Sequence, residues 1–268
     1  MLTIFFLLCI SFGYVQAFEY KYNTISKDDV TDLITSVTDV PSTSGDPSPP
    51  LFGPIMTAPF NQTITYMGFQ WKNHVDFYYD STTQPVGSSL SAHSQGQNDE
   101  VCTDVKAKAH SEEPCSLIDH IDGWLYVYYP QSSFCCRACN TTDYCGIISS
   151  TWLQNDAIYQ GTQTFSGILA DGWMKQGGEQ NYYFTTVASR NDKNRRVPVV
   201  YYEGYPTFST GNNTWVFDIN AYSNDPIPLS TFNIPQNMGC ESMCELTGKT
   251  FEERLLDRLG KVKNLYRL

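Results

Sequence analysis

The sequence predicts an α+β protein built on one antiparallel sheet. Three observations carry this: β-branched and aromatic runs succeed one another from residue 62 onward, turn residues punctuate them, and helical periodicity is clearest near the two ends. An aromatic content of 14% with 17% charged residues rules out a disordered chain. After removal of a short leader, about 250 residues suffice for one large domain or two small ones.

The first seventeen residues are uncharged and read as a secretory signal peptide. An apolar stretch, Ile4 to Ile10, precedes small residues Val15 and Ala17 that are placed for cleavage after Ala17. No Lys or Arg precedes the stretch, which is too short to span a bilayer, and no later segment reaches the ~18 apolar residues of a transmembrane helix. The expected location is therefore secreted, or the lumen of an endomembrane or lysosomal compartment. Residues 18–60 are expected to hold a short helix, capped by Ser26 with Val30, Leu33, Ile34 and Val37 on one face. The segment from Pro41 to Pro59 follows, with six prolines and two glycines, and reads as a linker or wrapping loop.

Residues 61–268 are read as a single β-rich domain. Thr63 to Trp71 and His74 to Tyr79 are the first strands, with Lys72-Asn73 as their hairpin turn. Ser81 to Asn98 is a polar, mobile loop. Val101 to His120 holds one or two short helices, and Trp124 to Tyr129 is a strong strand. Cys145–Ser150, Ala157–Trp173, Tyr182–Ser189, Arg196–Tyr202 and Thr214–Tyr222 complete an antiparallel meander with turns at Gly161, Gly177-Gly178, Asn191-Asp192 and Gly211-Asn212. Pro198 cannot donate to a ladder, so its strand belongs at an edge or a bulge. Phe251 to Leu268 is the best helix, with Phe251, Leu255, Leu259 and Val262 on one stripe, although Gly260 weakens it by ~1 kcal/mol.

Of nine cysteines, Cys9 leaves with the signal. Cys102, Cys115, Cys135, Cys136, Cys139, Cys145, Cys240 and Cys244 remain, an even set that an oxidising lumen would pair as disulfides. Eight cysteines allow about 105 pairings, and at least one of Cys240 and Cys244 is expected to bond back to the group from Cys135 to Cys145, stapling the two ends of the sheet. In a reducing compartment Cys136-x-x-Cys139 would suggest zinc; in this one disulfides win and no metal site is expected. Sequons at Asn61, Asn140 and Asn212 are candidate glycosylation sites. The formal charge of -11 excludes nucleic acid as a partner.

No catalytic motif emerges. All four histidines precede the cysteine cluster, the reverse of the papain order, and there is no nucleophile elbow, zinc-protease helix, P-loop or dinucleotide fingerprint. Asp76, Asp171, Asp218 and Glu203 lie in or beside strands without forming a recognisable carboxylate pair. The remaining signal is aromatic. Trp124, Tyr126, Trp173, Tyr182, Phe184, Tyr201 and Trp215 sit on successive strands and are the candidate wall of a cavity for an apolar ligand.

One further pattern runs through Asn61 to Cys244: a cysteine group before Trp152, the run Asp171-Gly172-Trp173-Met174-Lys175 to Asn181-Tyr182-Tyr183, Pro198 on the next strand, and Phe232-Asn233-Ile234-Pro235 closing onto Cys240 and Cys244. In this order the chain resembles the ependymin-related family, whose sheet is similar to that of LolA-type lipoprotein carriers. The cluster Cys135-Cys136-Cys139 and the polar loop after Asp80 depart from that pattern. The resemblance implies a half-open barrel: a curved, disulfide-linked antiparallel sheet, here of roughly seven to nine strands, with helices packed on its concave face. It implies a lipid-like ligand bound without catalysis, and calcium by resemblance only. The expected partner is thus an apolar small molecule or lipid, and a homodimer is compatible with this reading. The alternatives are a structural or adhesive extracellular protein with a filled core, and a lumenal hydrolase whose residues meet only in the fold.

Overall fold

The computed structural model describes residues 46–106, 113–143, 145–176, 180–189, 196–205, 211–249, 253–254 and 256–257. The expected signal peptide and the helix capped by Ser26 lie outside the described residues. Of the expected C-terminal helix only positions 253–254 and 256–257 are described, and these are helical.

One antiparallel sheet of twelve strands organises the described residues. The strands are β1 (Ile55–Thr57), β2 (Phe60–Tyr66), β3 (Phe69–Asp80), β4 (Ser88–His93), β5 (Cys115–Asp119), β6 (Trp124–Tyr129), β7 (Phe134–Asn140), β8 (Ile158–Phe165), β9 (Ile168–Gln176), β10 (Gln180–Thr186), β11 (Pro198–Tyr205) and β12 (Gly211–Phe217). Their spatial order is β7-β6-β5-β4-β3-β2-β12-β11-β10-β9-β8, with β1 alongside β3. Two meanders therefore join through the β2–β12 pair, and the sheet is curved but unclosed. A five-residue helix, α1 (Glu100–Asp104), is capped by Asp99, whose carboxylate accepts from the backbone N–H groups of Val101 and Cys102 at 2.8 and 2.9 Å.

Several expectations are corrected. The first hairpin turns at Met67-Gly68, not Lys72-Asn73: both turn residues have positive φ (49° and 77°), the geometry a two-residue hairpin with right-handed strand twist requires. Asn73 instead lies mid-strand, its buried amide hydrogen-bonded by neighbours. The polar loop expected over Ser81 to Asn98 contains β4, whose Ser88, Ser89 and His93 are buried; pairing on both sides overrides the weak β propensity of serine. Val101 to His120 holds α1 and then a strand around Cys115, while Cys145–Ser150 is not a strand. Gly161 is a bulge rather than a turn, with φ +85° where the β8–β9 register slips. Pro198, expected at an edge or a bulge, opens β11 within the sheet at a register shift opposite Phe184/Thr185, so the bulge alternative holds and the edge alternative does not. The described residues hold twelve strands rather than seven to nine because β4, β5 and β7 carry Ser or Cys where a strand reading looks for aliphatic residues.

Strands β7 and β8 are consecutive in sequence but lie at opposite edges. The 141–157 connection must therefore cross one face of the sheet, hereafter the plugged face. It brings Ile147, Trp152 and Leu153 against Phe60, Val75, Tyr79, Trp173, Tyr183 and Phe217, in a core that also takes in Phe52, Met56 and Ala58 from the proline-rich segment. The two covering segments hold each other: Phe52 N–H donates to the Ser150 carbonyl at 2.8 Å, and Gln154 Nε2 donates to the Pro49 and Pro50 carbonyls at 2.7 and 2.9 Å. Tyr79 Oη donates to the Ile148 carbonyl at 2.6 Å.

Four disulfides pair all eight expected cysteines: Cys102–Cys115, Cys135–Cys240, Cys136–Cys244 and Cys139–Cys145. Both Cys240 and Cys244 return to the cysteine group. Adjacent residues of a strand point to opposite faces, so Cys135 joins a cluster on the back of the sheet and Cys136 one on the plugged face. The chain after β12 thus straddles the β7 edge, where Arg137 N–H donates to the Ser242 carbonyl at 2.8 Å and Cys244 N–H donates to the Arg137 carbonyl at 2.7 Å. Since β12 lies mid-sheet, these bridges tie its centre to one edge and do not join the two ends.

Candidate ligand-binding face

The register aligns Tyr159, Trp173, Tyr183, Tyr201 and Trp215 as directly opposed residues across β8, β9, β10, β11 and β12. They form an aromatic ladder on the plugged face. Centroids of Tyr159 and Trp173 are 5.7 Å apart, those of Tyr201 and Trp215 4.7 Å, and Phe60 stacks on Trp215 at 4.6 Å. Such contacts add about 0.5–1.5 kcal/mol each beyond area burial. Phe52, Trp152 and Leu153 close over the ladder. The indole N–H groups of Trp173 and Trp152 are buried there without an acceptor among the described residues, an arrangement that costs about 1–3 kcal/mol per group.

The seven sequence-predicted wall residues do not share one wall. Trp173, Tyr201 and Trp215 belong to the ladder, whereas Tyr182 and Phe184 alternate to the back of the sheet with Phe165 and Val200. Trp124 and Tyr126 face the back at the other half, beside Ile118 and Cys135. The ladder's Tyr159 and Tyr183 escaped the sequence reading. In the run Tyr182-Tyr183-Phe184 every position is aromatic, so side-chain parity cannot be read without the register.

Where the ladder ends, a buried polar row begins. Trp215 Nε1 donates to Asn213 Oδ1 at 3.0 Å, Gln62 Nε2 donates to the same oxygen at 3.3 Å, and Asn73 Nδ2 donates to Gln62 Oε1 at 3.3 Å. Asn73 Nδ2 also meets His93 Nδ1 at 2.9 Å, while His93 Nε2 stands 3.6 Å from Asp99 Oδ2. Burial pushes the His93 imidazole below its ordinary pKa, against the opposing pull of Asp99. The His93 ring, held by the Asn73 amide, stitches strands together; Ser94 Oγ donates to Asn73 Oδ1 at 2.9 Å rather than to this histidine.

Asp171 is tied into the sheet in the same way. Asp171 is fully buried and bonded to Arg196 Nη1 at 3.3 Å, Tyr159 Oη at 2.9 Å and Thr162 Oγ1 at 3.2 Å, an ion pair inside the sheet. Asp76 stands exposed beside His74, and Asp218 bonds its own turn through Asn220 N–H. Among the described residues no three His, Cys, Asp or Glu side chains gather as a metal site. No helix among them is long and apolar enough to cross a membrane.

Two surface clefts lie away from the ladder. One, of about 380 Å³, is lined by Gly87, Asp119, Trp124, Thr141, Ile147 and Ser150 among others. Burial pushes the Asp119 carboxyl up to about 6, partly offset by the Ser89 hydroxyl donating at 2.8 Å. The other, of about 400 Å³, lies at the back of β6 and β7 and includes Tyr126 and Arg137.

Neither a family model nor a curated protein matches the chain. Among solved structures it is similar to an uncharacterized conserved protein from Thermus thermophilus, at 6% identity over 71% of this chain and 90% of that one, with a TM-score of 0.41. A DUF1329 family protein from Desulfovibrio piger is similar at 12% identity over 68% and 90%, TM-score 0.36, and a LolA superfamily protein from Nitrosomonas europaea at 8% over 66% and 90%, TM-score 0.28. Likenesses this distant carry no functional argument. Of the three sequon asparagines, Asn61 is exposed, while Asn140 and Asn212 are half-buried.

Proposed function

We propose that the protein is a secreted or lumenal disulfide-bonded glycoprotein that binds a lipid-like molecule on the aromatic ladder, with the 141–157 crossing and the Phe52 segment occupying that place when no ligand is bound. The carrying observation is the pair of indole N–H groups of Trp152 and Trp173, buried within the aromatic core without an acceptor among the described residues. A ligand with a hydrocarbon body and an ester or carboxyl oxygen satisfies both needs: the rings receive apolar surface and an indole gains its acceptor. The cover is built from connecting segments, which are displaced at lower cost than sheet strands. The kinship implied by the sequence order, with the ependymin-related family and through it the LolA-type carriers, belongs to the same proposal, as do glycans at Asn61, Asn140 and Asn212.

A second reading has its own observation. Tyr183, Trp173 and Leu153 are almost fully buried, as a structural or adhesive protein with a filled core would have it. Native mass spectrometry of the chain purified without detergent, then delipidated and offered oleate, separates the two. Co-purifying lipid or stoichiometric uptake of oleate supports the carrier; the bare mass under both conditions supports the filled core.

A further inference from the structure

Arg137 directly follows the two cysteines, Cys135 and Cys136, that hold the sheet edge, and its guanidinium is contacted from several sides. It lies 5.1 Å from the Trp124 ring centroid and 5.6 Å from that of Tyr126, and its Nε donates to Tyr126 Oη at 3.3 Å. That hydroxyl in turn donates to Asp122 Oδ2 at 2.7 Å. Arg137 lines a cleft of about 400 Å³ whose other walls include Ile234, Gln236, Asn237 and Glu241, and with Nε engaged by Tyr126 its Nη groups are the donors left for a ligand there. The backbone on both sides is fixed: Cys135 bonds Cys240, Cys136 bonds Cys244, and Arg137 pairs with the 242–244 segment. A planar fork of donors, rings that fix its plane, and a wall held by disulfides make a preorganised receptor for a planar anion.

We infer that this cleft is a second binding site, on the back of the sheet and independent of the aromatic ladder, in which the Arg137 Nη1 and Nη2 fork receives the carboxylate of a small ligand and the Gln236 and Asn237 amides bond its polar body. Glu241 on the same wall sets the charge. In a protein of formal charge -11 it opposes multiply charged anions such as phosphate, and it favours a monocarboxylate, above all one that also carries an ammonium group.

The test follows the Trp124 indole resonance of the full secreted chain during titration with acetate, glycine and inorganic phosphate. Saturable shifts with glycine and acetate, and weaker binding of phosphate, are expected. Arg137→Lys keeps the charge but not the fork, and should weaken binding about tenfold or more; Glu241→Gln, an exposed change that leaves the fold intact, should tighten phosphate relative to glycine. Absence of saturable shifts in the wild type, or equal binding by Arg137→Lys, would overturn the site. Phosphate binding more tightly than glycine, or no effect of Glu241→Gln, would overturn the assigned ligand class. Loss of oleate uptake at the ladder would leave all these outcomes unchanged.

Discussion

Asp119 couples the fold to pH through a simple imbalance. Its carboxyl titrates at about 6 in the fold, against 3.8 ordinarily. Between about pH 4 and 6 the folded protein therefore keeps a proton that the unfolded chain has lost, and stability falls as pH rises through that window. The deficit at neutral pH is on the order of 2–3 kcal/mol. Asp119→Asn, whose amide oxygen can still accept from Ser89, should raise the melting temperature at pH 7 and flatten its fall between about pH 4 and 7; an unchanged profile would count against a buried neutral carboxyl. His93 acts in the opposite sense. Its lowered pKa means that the unfolded chain takes up a proton first as pH falls, so this residue's contribution is present above pH 6.5 and lost below it. An NMR titration should place the His93 midpoint below 6.5, and a midpoint above it would show that the Asp99 carboxylate outweighs burial of the ring. At this scale the sequence disclosed the cysteines and the aromatic richness. It hid the polar row, because Asn213, Gln62, Asn73 and His93 come from four strands and become neighbours only through register.

The covering connection decides how the sheet can work as an element. Leu153, part of this connection, is fully buried, so Leu153→Ala should cost about 2–5 kcal/mol, read as a lowered midpoint of denaturant unfolding; a loss below about 1 kcal/mol would mean that the crossing is not packed on the ladder. Gly172 offers a stricter test of the sheet beneath. A Cβ there would lie 2.4 Å from the Phe184 ring, so Gly172→Ala must displace that side chain and should destabilise the β9–β10 pair by about 1–3 kcal/mol. Most strands of the second meander could be located from sequence, since their aromatic and β-branched runs are bounded by glycine and asparagine. β4 and β7 could not: Ser88 to His93 and Phe134 to Asn140 are strands because of what pairs with them, and the tight Met67-Gly68 turn was masked by the more polar Lys72-Asn73. Parity failed for a related reason, as Tyr182 and Phe184 occupy the back while Tyr183 joins the ladder.

Across the whole molecule, two meanders meet at β2–β12, a crossing covers one face, and two disulfides secure the tail to the β7 edge. Even cysteine count made pairing legible, but not the topology that sends Cys240 and Cys244 to opposite faces of one strand. Opening the plugged face therefore needs no strand to separate. It needs only residues 146–157 and the Phe52 segment to lift; Cys145 stays anchored to β7 through Cys139, and beyond it the crossing is held by side chains and a few hydrogen bonds such as Tyr79 to Ile148. Amide hydrogen exchange with and without saturating oleate tests this most directly. Faster exchange across 146–157 is expected when oleate binds, while β9, β10 and β11 stay protected; unchanged exchange in the crossing at full oleate occupancy would contradict a ladder opened by lifting its cover.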